Sequence, residues 1–410
     1  MIEKKTKDPI HVYSEIGKLK TVLVHCPGDE IKYITPSTMD ELLFSSLLEP
    51  KQAIKEHNEF VQILKNEGVE VVYLIDLVLE TYNSCDKTAQ NEFIDRWIKE
   101  CEVRETKVQG IIKKFLKSLP AKDMILKMFS GILASEIKIK TYQELVAKPM
   151  PNLYFARDPF STIGNGVVIN TMKYPIRRRE TLFLWFIFNH HPIYKNAPIF
   201  SDRKSEYSIE GGDIFVYSNE VLVIGVSERT EFNAIKELAE NLVKKGTTSF
   251  KKIYCIYVPH EKNLMHLDTW LTMLDYNKFL YSTNMLKKLK TWRIDLLKKG
   301  IHVKLLQKKL PQLLKEIIGQ EPILIPVAGN NSQMRVDIET HFDATNFLAI
   351  RPGVVIGYDR NYDTINEMKK HGIKVLGFNG NQLSLGMGSA RCMAMPLYRE
   401  DIKIINKKEK

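Results

Sequence analysis

The residues best suited to covalent chemistry lie far apart in the chain. They are Cys392 in GMGSARCM, His266 and Asp268 in MHLD, Glu210 and Asp213 in IEGGD, and Asn152, Arg157 and Asp158 in NLYFARDP. A cysteine thiolate is a strong nucleophile, a histidine gives and takes a proton, and carboxylates grip a cation. Together these groups suit attack on a delocalised cationic carbon such as that of a guanidinium. Such a carbon is a poor electrophile. Two or three carboxylates can hold its N–H groups in a fixed fork while a thiolate adds to it. A histidine then protonates the departing nitrogen and later deprotonates the attacking water. Each residue also has a structural reading. Cys392 alone fits a buried core thiol, His266 a hydrogen-bonded imidazole, and Asp158 before Pro159 the start of a turn. Asp213 after Gly211-Gly212 fits the opening of a hairpin. The glycines of LGMGSARC make only a lone G-x-G, weak grounds for a phosphate loop. No metal site is expected: His190 and His191 are adjacent and point apart, no H-E-x-x-H occurs, and His341-Phe342-Asp343 has no further ligands nearby.

The elements that must bring these residues together alternate between strand and helix. Strand-like runs stand at 20–26, 69–75, 166–170, 213–217, 221–226, 252–258, 322–328 and 354–359. Helical spacing of Ile54, Phe60, Val61 and Leu64 predicts a helix over Ala53–Asn66 that stops near Gly68. Phe232, Ile235, Leu238 and Leu242 predict another before Gly246. The main body is therefore expected to be α/β. From about Asn83 to Lys140 strand signals vanish and three apolar stripes follow one another, the third after Pro120 with Asp123 as a possible cap. This places an all-helical insertion at 79–146, between residues 1–78 and 147–410 of the main domain. Asp158, Asp213 and Asp268 are spaced evenly, 55 residues between successive members. Each starts an apolar run, a turn and a second apolar run. A looser copy begins at Asp343, and His11 to Gly28 reads as another. Equal periods suggest one supersecondary unit repeated around an axis, with the same edge of every unit facing the centre.

Composition narrows the class. The chain has 410 residues, 44% hydrophobic and 27% charged, enough for a sizeable core. The start, MIEKKTKDPIHV, is polar, and the longest apolar run, Leu182–Phe188, falls far short of the roughly 18 residues that span a bilayer. A cytosolic protein without membrane contact is expected. The five cysteines form no C-x-x-C pair and are expected to be reduced. A net charge of +11 raises nucleic-acid binding. The lysines, however, are dispersed, as in KKLKTWRIDLLKKG and KKGTTSFKK, where they read as solvated faces of helices, and no recognition motif accompanies them.

Segments along the whole chain resemble bacterial arginine deiminases, the mycoplasmal type in particular. They are MPNLYFARDPF (150–160), RRRETLF (177–183), IEGGDIF (209–215), SERT (227–230), NLMHLDTWLTMLD (263–275), IETHFD (338–343) and GNQLSLGMGSARCMAMPL (380–397). The resemblance implies a five-module α/β propeller of pseudo-fivefold symmetry, interrupted by a helical domain after the first module. It implies Cys392 as nucleophile, His266 as general acid and base with Glu210 beside it, and Asp158 and Asp268 holding the guanidinium. Arg177 and Arg229 would grip the α-carboxylate of free L-arginine, and Asn152 would contact the same end. Hydrolysis to citrulline and ammonia through a Cys-linked thiouronium follows, with no cofactor or metal, in a homo-oligomer. Three positions depart from the commoner pattern: Ala156 for threonine, Ser45-Ser46 for an aspartate pair, and Met387 where some relatives have arginine. Two other readings stand beside this one. One is a deiminase or hydrolase for another guanidine, such as agmatine or dimethylarginine. The other is a catalytically degenerate paralogue that serves as a binding or surface-interaction protein.

Overall fold

In the computed structural model the described residues are 8–142, 144–259, 265–283, 289–329 and 331–402. The first seven residues, Asn263 and Leu264 of the NLMHLD segment, Lys287-Lys288 and the lysine-rich end at 406–410 lie outside them.

The chain opens with β1 (Leu19–Val24), α1 (Pro50–Asn66) and β2 (Glu70–Tyr73). Helices α2 (Leu74–Ser84), α3 (Lys87–Glu100), α4 (Thr106–Ser118) and α5 (Ala121–Ser130) follow, then the small pair β3 (Ile132–Leu133) and β4 (Leu145–Ala147). Next come β5 (Phe160–Ile163), β6 (Gly166–Ile169), α6 (Pro175–Arg178), α7 (Glu180–His190) and β7 (Ile199–Ser201). After them stand β8 (Ile214–Ser218), β9 (Val221–Val226), α8 (Phe232–Lys245) and β10 (Lys252–Tyr257). They lead to β11 (Leu271–Met273), β12 (Lys278–Tyr281), β13 (Thr291–Leu296), β14 (Ile301–Leu306), α9 (Leu310–Ile318) and β15 (Ile323–Pro326). The last stretch holds α10 (Gln333–His341), β16 (Leu348–Arg351), β17 (Val354–Tyr358), α11 (Tyr362–Lys370), β18 (Lys374–Phe378) and β19 (Met395–Arg399).

One arrangement recurs. A first strand pairs antiparallel with a second, a helix crosses over, and a third strand returns parallel to the second. This holds for β5-β6-β7, β8-β9-β10, β11-β12-β15 and β16-β17-β18. The same unit is assembled once more from both ends of the chain, with β19 antiparallel to β1 and β1 parallel to β2. Segment 11–28 is thus not a unit in itself. It supplies one strand, and the C-terminal strand satisfies that strand's second edge.

Other expectations also change. Within KKLKTWRIDLLKKG, expected to be helical, Thr291–Leu296 is β13, which joins β14 to β10 and widens that sheet to five strands. Trp292, Ile294 and Leu296 alternate with Arg293 and Asp295, a period of two that packs one face on the core and pairs Arg293 with Glu316 on the other. KKGTTSFKK likewise holds only the end of α8, a loop and the start of β10. The run 69–75 ends its strand at Tyr73, because Leu74, Leu77, Val78 and Thr81 bury one helical face of α2. Asp123 does not cap α5. Pro120 holds that position and Asp123 sits in the first turn, where its charge favours the helix's positive end.

The helical segment shares its core with α7. Phe93 stacks on Phe186 with ring centroids 4.1 Å apart, and Phe129 meets Phe183 edge-on at 4.8 Å. Each fully buried phenylalanine is worth roughly 1.5–3 kcal/mol of apolar transfer, so this seam holds the helices to the sheets. It also explains the run Leu182–Phe188: α7 is buried on almost every side. Among the described residues no helix is long and apolar enough to cross a membrane.

Candidate active site

Five loops lead into the first strands of the five units, and each carries a residue singled out from the sequence. Asp158 precedes β5, Asp213 β8, Asp268 β11, Asp343 β16 and Cys392 β19. Hydrogen bonds link these loops in a closed circuit. Gly211 N donates to Asp158 O (3.3 Å), Leu267 N to Asp213 Oδ1 (2.8 Å) and Thr345 Oγ1 to Asp268 O (3.0 Å). Cys392 N donates to Asn346 Oδ1 (3.0 Å), and Arg157 N to Cys392 O (2.9 Å).

Cys392 is buried, with its sulfur 3.6 Å from Asp268 Oδ2. Burial pushes its thiol well above the ordinary range, and the nearby Asp268, Asp158 and Asp343 push the same way, while Arg391 pulls it down. The glycines before it serve close packing. A Cβ on Gly386 would stand 2.0 Å from Tyr154 Oη, and one on Gly388 2.6 Å from the Phe155 ring. Asn346 clamps the turn, its Oδ1 accepting from both Ser389 N (3.1 Å) and Cys392 N (3.0 Å).

His266 Nε2 lies 2.9 Å from Glu210 Oε2, and both side chains are buried. Burial alone would depress the imidazole, but Asp158, the Glu210 bond and Asp213 outweigh it and raise His266 to about 9. Burial likewise opposes the Glu210 charge, and Arg229 with His266 overcomes it and holds that carboxyl well below its usual range. The SERT turn fixes the base of this pair. Ser227 Oγ donates to Asp213 Oδ2 (2.6 Å), and Thr230 Oγ1 accepts from Glu210 N (3.1 Å). Asp213 thereby becomes a structural brace that holds Leu267, between His266 and Asp268.

The two acids expected to hold a guanidinium share a pattern. Asp158 Oδ2 accepts from Arg177 Nη1 (2.8 Å), and Asp268 Oδ2 from Arg391 Nη1 (2.9 Å). The other oxygen of each, Oδ1, is buried with no hydrogen-bond partner among the described residues. Buried acceptors in this state are rare and point to a donor that belongs there. Arg177 also grips Glu180 through Nε and Nη2, so its donors are largely committed. Arg229 is less occupied. It pairs with Glu210 at 3.4 Å, lies 4.5 Å over the Tyr174 ring, and its Nε has no partner among the described residues. Asn152 Nδ2 donates to Leu42 O (2.7 Å) and so ties the 38–45 loop to the site.

These residues border a cavity of about 350 Å³ whose wall includes Asn152, Asp158, Arg177, Arg229, His266 and Cys392. Glu210 and Asp268 stand just behind the wall, touching His266 and Cys392. Such a volume suits a small molecule. Ser45 and Met387 are on the wall; Ser46 and Ala156 are not. Asp40, Phe155, Tyr174, Glu228, Thr269 and His341 line it too, and the sequence alone singled out none of them for the site. Only His341, by its H-x-D spacing, carried a signal. A larger cavity, about 670 Å³, opens beside the α3–α4 loop. Its one thiol, Cys101, is pushed by burial to about 11, and no histidine lines it. Asp158, Glu210 and His266 bring ligand atoms within 4.8 Å of one another. Arg177 and Arg229 already neutralise two of the three, which disfavours a metal cation there.

The mixed α/β fold is shared with solved structures of low sequence identity. A solved amidinotransferase from Microseira wollei superposes with a TM-score of 0.58 at 16% identity, covering 96% of this chain and 98% of that one. DDAH from Pseudomonas aeruginosa gives 0.51 at 14%, covering 92% and 99%. A family model described as arginine deiminase matches residues 40–399. The arginine deiminase of Metamycoplasma hominis is 52% identical over 398 residues, 96% of this chain and 97% of that protein. That of Staphylococcus haemolyticus is 41% identical over 413 residues, 97% and 100%. The chain belongs to the arginine deiminase family.

Proposed function

We propose that the protein hydrolyses free L-arginine to L-citrulline and ammonia. One observation carries the reading: a buried thiol, a Glu-paired histidine and Asp158 meet at one small cavity, Asp268 stands behind the thiol, and each of the two aspartates has an oxygen with no partner among the described residues. A guanidinium is flat, cationic and rich in N–H donors, and Asp158 Oδ1 and Asp268 Oδ1 are the acceptors it needs. Its positive charge, set beside Cys392, offsets the acids that hold the thiol protonated, so arginine binding drives the thiol's proton out to solvent and leaves the thiolate. The sulfur then adds to the guanidinium carbon. The His266 imidazolium, kept charged by Glu210, gives its proton to the departing nitrogen, and ammonia leaves. Neutral His266 next takes a proton from water, which attacks the thiouronium carbon. Collapse breaks the C–S bond and expels the thiolate, while the intermediate's hydroxyl proton passes to solvent as the carbonyl of citrulline forms. At the far end Arg229 takes the α-carboxylate, with Asn152 beside it. Arg177 adds its charge there while its donors stay on Asp158 and Glu180.

The fold behind this reading is a propeller of five modules around a pseudo-fivefold axis, and the closed circuit of loop-to-loop hydrogen bonds supports it. Residues 79–146 read as a mainly helical domain inserted in the catalytic domain (1–78 and 147–410), although α2 runs across the first boundary and β4, paired with β3, runs across the second, so the insertion is not all-helical. A cytoplasmic homo-oligomer fits the family.

The test is citrulline formation by the purified protein, with arginine, agmatine and dimethylarginine assayed side by side. Arginine alone should turn over well, since agmatine offers Arg229 no carboxylate. Cys392→Ala should abolish turnover and still bind arginine. A folded wild-type protein that makes no citrulline, or a Cys392→Ala variant that makes it, defeats the reading.

A further inference from the structure

Beneath the nucleophile lies a buried charge cluster in which Arg391, Arg157 and Arg399 surround Glu15 and Asp268. Arg391 is the member that reaches the reacting groups. Its Nη1 donates to Asp268 Oδ2 at 2.9 Å, and the same oxygen lies 3.6 Å from Cys392 Sγ. Its Nη2 donates to Ile214 O (2.9 Å) and meets Glu15 Oε2 at 3.4 Å. The guanidinium carbon lies over the Phe215 ring, 3.7 Å from its centroid. Both terminal nitrogens of the fork are thus held, one to a carboxylate and one to the backbone of β8, and an aromatic face backs the group, while Nε has no partner among the described residues.

We propose that Arg391 is a positioning residue of the reaction: through its fork it fixes Asp268 by one oxygen beside the sulfur, leaving the other for the substrate, and its charge offsets that of the thiolate. The proposal rests on the arginine-hydrolysing reading above. The arrangement matches Arg177 on Asp158, so each substrate-facing acid carries a protein arginine of its own. A lysine keeps the charge, but a single ammonium cannot reproduce three fixed contacts from one plane. Geometry and charge are therefore separable.

The experiment uses Arg391→Lys, Arg391→Met and, as control, Glu15→Gln, each checked for cooperative melting. Steady-state kinetics with arginine are read beside the pH profile of Cys392 alkylation by iodoacetamide, followed by peptide mass spectrometry. For Arg391→Lys, kcat should fall about tenfold or more, KM should change less, and the alkylation midpoint should hold within roughly half a pH unit. For Arg391→Met the midpoint should rise by about one pH unit or more, because a cation beside the thiolate is lost. Glu15→Gln should stay within about threefold of wild type. A folded Arg391→Lys with wild-type kcat overturns the proposal. So does an Arg391→Met midpoint that stays put, or a Glu15→Gln loss as large as that of Arg391→Lys, which would make the cluster a core brace only. If Arg391→Met does not fold, the lysine variant and the control decide. If the wild type makes no citrulline, the functional reading fails by itself, and the alkylation midpoints still test the action of Arg391 on Cys392.

Discussion

Adding one methyl group at Gly212 tests whether His266 moves protons from where it stands. A Cβ at this position would lie 2.5 Å from His266 Nδ1 and 2.6 Å from its Cγ. Ordinary contact begins near 3.4 Å, so the imidazole must retreat by about 0.9 Å. It has little room to do so: its Nε2 is held by Glu210 at 2.9 Å, and Glu210 has no solvent exposure. A displacement of about 1 Å at a reacting group costs on the order of 100-fold in rate. That is about 2.7 kcal/mol of barrier. Overpacking should cost roughly 1–3 kcal/mol of stability, which leaves a domain this size folded at room temperature. Gly212→Ala is therefore expected to lose about two orders of magnitude in kcat while melting cooperatively. Citrulline is measured by colour, folding by circular dichroism, and exposure of the nucleophile by Cys392 alkylation. A folded Gly212→Ala protein with kcat within about threefold of wild type would refute the proton-transfer role of His266.

Three further outcomes follow from the same geometry. Arg229→Gln should raise KM for arginine about tenfold or more, and kcat should also fall, since the same charge holds Glu210 ionised beside His266; steady-state kinetics check this. Activity should fall as pH rises through about 9, where His266 loses the proton it must donate, and in Glu210→Gln the fall should begin at lower pH, because the hydrogen-bonded anion that raises His266 is gone. The same raised value contributes stability that is fully present below the unfolded histidine's pKa of about 6.5. It is lost as pH rises through about 9, so His266→Gln should show a flatter decline of melting temperature across that window.

The parts legible in the sequence were those written in local pattern. The apolar spacing in Phe232–Leu242 gives α8 because one helical face must be buried, and the even spacing of Asp158, Asp213 and Asp268 marks units that begin alike. What the sequence hid is whatever depends on distant partners. Strand β1 has no local mate, and β19, the strand that completes its unit, lies at the other end of the chain. The lysine-flanked β13 looked helical because its charges mask a period of two that matters only between β10 and β14. The site shows the same division. Cys392, His266, Glu210 and Asp158 announced themselves by residue type, whereas Asn346 looked like any loop asparagine. Its role lies in two backbone N–H groups more than forty positions away.

The commitment of Arg177 follows from a problem any such site must solve. Two carboxylates and a thiol that the proposed reaction turns into an anion are buried beside one small cavity, and like charges there raise each other's protonation. Backing each acid with an arginine on Oδ2 removes much of that repulsion and leaves Oδ1 as an acceptor. The arginines need ties of their own, for an unanchored guanidinium would swing into the cavity and occupy the acids as a substrate does. Glu180 anchors Arg177 through three contacts, and the Ile214 carbonyl and Phe215 anchor Arg391. In the proposed reaction, selectivity for an incoming guanidinium thus depends on keeping two resident ones still.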